Sequence, residues 1–422
     1  MIGVGMAILW VGIVLLALVA CAVLERRGRL AHSTRRGRWS APRAAWGFDA
    51  DRPPVVSLVA RGLAGVARMV RSRTRVLDQS AWLRRIGRLI SCVAFASGLA
   101  LIPFAGTWGG RAAGRPLIVA DLDHGLIAIV FLLLLMGFAQ VGIGLADRSP
   151  WSRLGSVGIA SQTLAGLGLL ILVTAPLAVT SISDMSGLTD RAIASEIVAM
   201  TASSQPEARL QNIVAAQNST FSPLFWLPKV LSGQVFDWIR DLRWPRWNIF
   251  VQPLTALLFW LALYGLTRRS WVANPETGSV CLAGFGLDHD PVDLYWGRLE
   301  ARLARVFAAA LFVSLFLGAG AIPFLRIGDV VDRLAPHVGF SLPAFLAVGI
   351  GIGVFFGKLV FVLIADGMFR RSMANLRDDQ RTRLVAFRLL PLAWANLLLV
   401  SATSLFVQGS PNQLSQMLLG GG

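Results

Sequence analysis

SLPAFLAVGIGIGVFFGKLVFVLIA, residues 341–365, is an apolar run of 25 residues interrupted by a single charge, Lys358. A helix of about 20 residues crosses the roughly 30 Å hydrocarbon core of a bilayer, so this run is long enough to span. Helix is also the only conformation open to an isolated segment there, because lipid offers no partner to backbone N–H and C=O groups. Gly349, Gly351 and Gly353 suit close approach of a neighbouring helix. Carried outward, the same reading finds seven more spans, at about 2–24, 88–106, 122–146, 155–182, 249–266, 303–323 and 385–407.

The chain of 422 residues is 55% hydrophobic and only 15% charged, the profile of a polytopic membrane protein. Its net charge of +17 raises nucleic acid as a partner, and the placement of the charge argues against it. With the N-terminus outside, 29 of the 40 Lys and Arg fall in the loops 25–88, 146–154, 267–305 and 366–388, all on the inner side. That bias predicts both termini on the outer (periplasmic) side. The expected fold is therefore all-α and polytopic, with eight transmembrane helices. Cys21, Cys92 and Cys281 are isolated and predict neither a disulfide framework nor a zinc site. The first segment lacks a basic start and is too long for a signal-peptide core, which predicts a retained helix.

Along the chain this gives a first span (1–24), a basic inner loop (25–87), spans two to four (88–182), an outer insertion (183–248) and the remaining spans (249–422). In the basic loop, VVSLVARGLAGVARMVRSR (55–73) interleaves Arg61, Arg68, Arg71 and Arg73 with apolar residues. It reads as an amphipathic helix lying in the membrane plane, its basic side toward lipid phosphates or a docked partner, or simply snorkelling. In the insertion, Trp226, Trp238, Trp244 and Trp247 point to interfacial anchoring.

Catalytic signatures are missing. No Gly-rich phosphate loop, nucleophile elbow or metal-spaced His/Cys cluster occurs, and His32, His124, His289 and His337 are scattered. Acids are absent from 126–146, 155–182, 249–266 and 341–365, so Lys358 stands out as an intramembrane ionisable group. It lies about eight residues, roughly 12 Å, from the inner end of its span, and a lysine stem covers only part of that distance. Two readings stand: strained snorkelling, or pairing with a carboxylate or water, expected on another subunit because the chain's own helices offer almost no acid.

Five stretches, in order, resemble the H subunit of respiratory complex I (NADH:quinone oxidoreductase) and the related membrane subunits of energy-converting and formate-linked hydrogenases. ERRGRLAHSTRRG (25–37) is similar to that family's turn after the first helix, with Arg26 and Arg35 in register. ADLDHGL (120–126) matches the opening of the third helix, and LADRSPWSRLGSVGIASQ (145–162) the start of the fourth, keeping Gln162. TRRSWVANPETGSVCLAGF (267–285) resembles the long quinone-side loop, keeping Arg269 and Glu276. Lys358, Arg370, Arg377, Asp379 and Gln380 reproduce the family's Lys…Arg…RxDQ spacing. The run SMANLR (372–377) looks closer to the hydrogenase relatives.

The resemblance implies a subunit of the bacterial cytoplasmic (inner) membrane that joins other membrane-arm subunits to a peripheral iron–sulfur, quinone-site subunit. It would bind no cofactor of its own, with quinone held at the interface. Arg26, Arg35, Arg269, Glu276, Arg370, Arg377 and Asp379 would form the docking surface and cavity wall, or else be ordinary juxtamembrane charge. Lys358 and Gln162 would be the intramembrane polar groups. Departures accompany it: where the family's fourth helix carries Ser-Tyr-Glu, this chain has Ala165, Gly166 and Leu167, and a glutamate of the fifth helix becomes Leu266. These groups are thought to line the quinone chamber and the acidic channel, so their loss implies degenerate coupling. The alternatives are the anchor subunit of a hydrogenase or formate-linked complex, or a non-catalytic structural paralogue.

Overall fold

Residues 79–100 pattern their side chains inside out relative to a helix in water. In the computed structural model they form helix α1 (Gln79–Ala100). Its buried face carries Arg84, Arg88 and Ser91 and then Ala94, Phe95 and Leu99, at the three- and four-residue spacing of one helical stripe. Leu83, Leu89 and Val93 face outward. Apolar side chains outside and charges inside are the arrangement lipid favours, since an unpaired charge in hydrocarbon is costly.

The structure describes residues 79–108, 115–120, 124–146, 150–187, 247–267, 291–322, 341–372 and 383–408, with single positions within 11–19, 122, 213–221, 244–245 and 380. After α1 a short hairpin follows, β1 (Ala105–Trp108) paired antiparallel with β2 (Arg115–Leu117) and bulged between Ala105 and Thr107. Next come α2 (Gly125–Ala146) and the 38-residue α3 (Pro150–Gly187). The two-residue strands β3 (Thr220–Phe221) and β4 (Trp244–Pro245) pair with each other. The remaining helices are α4 (Asn248–Val251), α5 (Pro253–Leu266), α6 (Pro291–Phe316), α7 (Ser341–Ser372) and α8 (Leu390–Gln408).

The protein is thus mostly helical, and four stretches of the described residues are long and apolar enough to cross a membrane: Gly125–Ala146, Gly155–Val179, Leu346–Phe369 and Val385–Thr403. Two β pairings correct a strictly all-α expectation. Several expected spans also move. The second runs Gln79–Ala100 rather than 88–106, because the chain leaves the helix and enters β1. The span expected at 249–266 breaks at Gln252, since Pro253 has no N–H to give and takes the first position of α5 instead. Alone, the 14 residues of α5 reach only about 21 Å. The span expected at 303–323 starts earlier, at Pro291, and stops at Phe316. Ahead of α8, a π turn (Val385–Leu389) closes with Leu390 N–H donating to the Val385 carbonyl; Pro391 follows directly.

α1 packs on α2 and α6, α2 on α3, α3 on α5 and α8, and α6 on α7. From Leu303 onward α6 is buried on nearly every side, which makes it the central post. Around it, Phe259 and Phe316 pack with ring centroids 5.1 Å apart, and Phe95 and Phe307 at 5.7 Å. Glycines set the closest helix approaches: a Cβ on Gly98 would lie 2.6 Å from the Phe307 ring, and one on Gly137 would overlap Thr163. By contrast α7 and α8 bury little of their apolar stretches, and Phe361, Met368, Trp394 and Leu398 are exposed. The first span and the in-plane helix at 55–73 lie largely or wholly outside the described residues, as does most of the 183–248 insertion.

Candidate functional site

Two polar constellations and one dry seam lie among the packed helices. We call the end where α1, α3 and α6 begin and α2 ends the near face. In its half of the bundle, α1 contributes Arg88 and Ser91, α2 contributes Gln140, and α6 contributes Glu300. Arg88 Nη1 lies 3.7 Å from Glu300 Oε2, with both side chains under 10% exposed. Between them Gln140 Nε2 donates to Glu300 Oε1 and, at 3.3 Å, to Ser91 Oγ. Gly297 leaves room for the guanidinium, since a Cβ there would meet Arg88 Nη1 at 2.5 Å. Arg84 is buried one turn before, and the free thiol of Cys92 is buried beside the cluster. A charged pair survives this burial only because hydrogen bonds surround it.

The second constellation gathers at the end of α6. A helix leaves its last carbonyls without internal partners, and in a dry interior each must find one. After Phe316 the chain turns through Gly318 (φ +65°) and Ala319 (φ +47°). Gln217 Nε2 donates to the carbonyls of Ser314 (3.0 Å) and Leu315 (2.9 Å), while its Oε1 accepts from Gly318 N–H at 2.8 Å. Asn248 Nδ2 donates to Leu315 O at 2.7 Å. Lys358, midway along α7, donates from Nζ to the carbonyls of Leu317 (2.6 Å), Ala319 (3.1 Å) and Ala321 (2.6 Å). The Trp247 ring lies 4.1 Å from the same Nζ, in cation–π contact.

This placement corrects the expected partner of Lys358. The ammonium meets neither a carboxylate nor water on another subunit; it meets backbone carbonyls of its own chain. The carbonyl end of a helix is the negative end of its dipole, so a cation there is favoured without any acid. Snorkelling is corrected as well, because α7 continues to Ser372 and Lys358 sits at the middle of the stretch Leu346–Phe369, about 17 Å from either end.

A smaller chain of hydrogen bonds joins α8 to α5, from Asn396 Nδ2 to Thr255 Oγ1 (2.8 Å) and from Thr255 to Gln252 Oε1 (3.1 Å). The dry seam lies between α3 and α5. There Leu167 and Leu266 are buried, and a Cβ on Gly166 would sit 2.9 Å from Leu266 Cγ. Positions 166 and 266, far apart in sequence, therefore face each other across an apolar contact.

Of the residues expected at a docking surface, Arg26, Arg35, Arg269, Glu276, Arg377 and Asp379 lie outside the described residues, and Arg370 falls in α7 with its side chain likewise outside them. Gln162 is buried in α3. Sequence reasoning missed Arg88 and Glu300, which counted as loop charges because the spans were started at 88 and 303. The inverted stripe of α1 and the spacing Gly297, Glu300, Ala304, Phe307 along α6 carried the signal. Among the described residues no group of three or more His, Cys, Asp or Glu could hold a metal ion.

A family model described as NADH dehydrogenase matches residues 6–401. The chain is similar to the NADH-quinone oxidoreductase H subunit 2 of Cereibacter sphaeroides (strain ATCC 17029 / ATH 2.4.9), 26% identical over 242 residues. That alignment covers 57% of this chain and 60% of the relative, so the chain spans about three fifths of that relative's length. It is 27% identical over 307 residues to the protein of the same name from Rhodopseudomonas palustris (strain BisB18), covering 71% of this chain and 72% of the relative.

Proposed function

We propose that this chain, which belongs to the NADH dehydrogenase family that includes the H subunits of complex I, is the membrane-arm subunit of a complex I-like NADH:quinone oxidoreductase. It crosses the cytoplasmic membrane eight times with both termini on the outer side, and the near face is the inner one. There it docks a peripheral iron–sulfur subunit and supplies one wall of a quinone cavity; other membrane-arm subunits pack against its exposed apolar helices. The observation that carries this reading is the family match over residues 6–401, nearly the whole length of a chain with several membrane-length helices. The concentration of Arg in the inner loops supports the orientation. The exposed flanks of α7 and α8 suit lipid or neighbouring subunits.

One observation favours a second reading, in which coupling is degenerate and the chain acts mainly as a scaffold. The positions where the resemblance implies channel acids are closed by the Gly166–Leu266 contact.

The test is co-purification from membranes in mild detergent, with NADH:quinone, hydrogen and formate activities assayed on the same sample. Iron–sulfur and flavin partners with NADH:quinone activity are the expected result. Charge reversal at Arg370 and Arg377 together should then release the peripheral arm. A nickel-containing partner, or recovery of the chain alone, would overturn the proposal.

A further inference from the structure

The end of α6 has the construction of an ion site. Three carbonyl oxygens from one short turn, those of Leu317, Ala319 and Ala321, converge on a single point at 2.6–3.1 Å. A fourth side is closed by the face of Trp247. Convergent backbone carbonyls and a π face are the groups that replace the hydration shell of a weakly hydrated monovalent cation. The point is occupied by Lys358 Nζ, and its protonation follows from the count: an ammonium has three N–H donors and no acceptor, matching three carbonyls that can only accept. A neutral amine would turn its lone pair on one of them.

The turn is shaped around this point. Gly318 takes a left-handed φ of +65° and lies so close to the indole that a Cβ would be 2.7 Å from Trp247 Nε1. Ala319 holds φ +47°, a conformation an L-residue adopts only where its surroundings impose it. Residue choice points the same way. In a chain that otherwise uses arginine for almost all its positive charge, the cation here is one of two lysines, the other being Lys229. A guanidinium is a planar fork and cannot aim three N–H groups at oxygens around one centre.

We propose that the buried end of α6 is a monovalent-cation socket permanently filled by the tethered ammonium of Lys358, which thereby clamps α6, α7 and Trp247 together. Emptying the socket turns an ion-indifferent protein into an ion-dependent one. This inference is independent of the proposed partners, since it concerns contacts within one chain.

The experiment compares wild type, Lys358→Met and Lys358→Arg, each purified from membranes in whatever assembly it forms, by thermal unfolding in chloride salts of lithium, potassium, ammonium and choline at equal ionic strength. Wild type should be indifferent to the cation. Lys358→Met should lose about 5–10 °C in lithium or choline and regain at least half of that in potassium or ammonium. An undiminished Tm, or a loss equal in all four salts, would overturn the socket. Should Lys358→Met fail to accumulate, Lys358→Arg decides: a Tm several degrees below wild type supports the socket geometry, whereas wild-type stability would mean that charge alone suffices and would overturn it.

Discussion

The near-face cluster and the α3–α5 seam are two solutions to the same problem of packing helices inside a membrane. In the first, α1, α2 and α6 enclose Arg88, Glu300, Gln140 and Ser91, and the helices are held by a network of charge and hydrogen bonds. In the second, Gly166, Leu167 and Leu266 leave no polar atom to satisfy, and shape alone makes the contact. The difference shows where this chain retains ionisable groups. The resemblance implies acids along the fourth and fifth helices, yet the described helices keep their buried carboxylate on α6 and pair it with an arginine of α1. A protein that had merely lost its intramembrane polar groups would show two dry seams.

The contrast breaks most readily at Glu300. Glu300→Ala leaves Arg88 buried without its carboxylate, and breaking a buried pair from one side costs about 3–5 kcal/mol. The expected result is poor accumulation or a strongly lowered Tm in the extracted protein. Replacing both partners, Arg88→Met with Glu300→Leu, should recover most of the stability, because neither desolvated charge remains. If the single variant is as stable as wild type, water reaches the cluster and it is not a buried seam. If the double variant is stable and keeps quinone reduction, the pair holds helices together and carries no chemistry.

Next in size is the converse change, wetting the dry seam. Leu266→Glu places a carboxylate against Leu167 and Gly166 with no donor nearby, at a cost of about 3 kcal/mol for an acid in the middle of a membrane helix. Thermal unfolding should show a drop of several degrees, smaller than for Glu300→Ala because a newly added acid can protonate whereas Arg88 cannot shed its charge. Unchanged stability would show that solvent or a partner subunit already enters the seam. A gain of proton coupling in the assembled enzyme would mean that the seam is an eroded channel.

How much of this could be read from the sequence depended on the kind of signal. Long apolar runs marked the membrane helices well, because hydropathy over about 20 residues is a property of composition, and α2 begins within a few residues of its expected start. Ends were less legible. α1 and α6 carry their arginines and glutamate into the bundle, so a search for uncharged runs began both helices too late and assigned Arg88 and Glu300 to loops. The break at Gln252 and the stop at Phe316 depend on one proline and on a turn whose partners, Gln217 and Lys358, are distant in sequence. Lys358 itself was conspicuous, but its partners were not: backbone carbonyls have no signature in a list of side chains, so the search for an acid looked in the wrong place.

The smallest effect is expected at Ser91, and it sharpens the comparison by asking which contact organises the polar seam. Gln140 divides its amide between the Glu300 carboxylate and the Ser91 hydroxyl, the latter at 3.3 Å. A hydrogen bond to an ionised acceptor is roughly twice as strong as one between neutral groups, and a 3.3 Å contact lies beyond the usual optimum. Ser91→Ala should therefore cost less than about 1 kcal/mol, a Tm change of a few degrees at most. Gln140→Leu strips a donor from a buried carboxylate and should cost two to three times as much, about 2 kcal/mol. The pair of single variants with the double variant forms a cycle whose coupling term measures the serine contact directly. Equal losses from Ser91→Ala and Gln140→Leu would mean that the hydroxyl fixes the amide and the carboxylate follows. The polar seam would then be built outward from α1 and α2, with the charged pair a late addition to it rather than its centre.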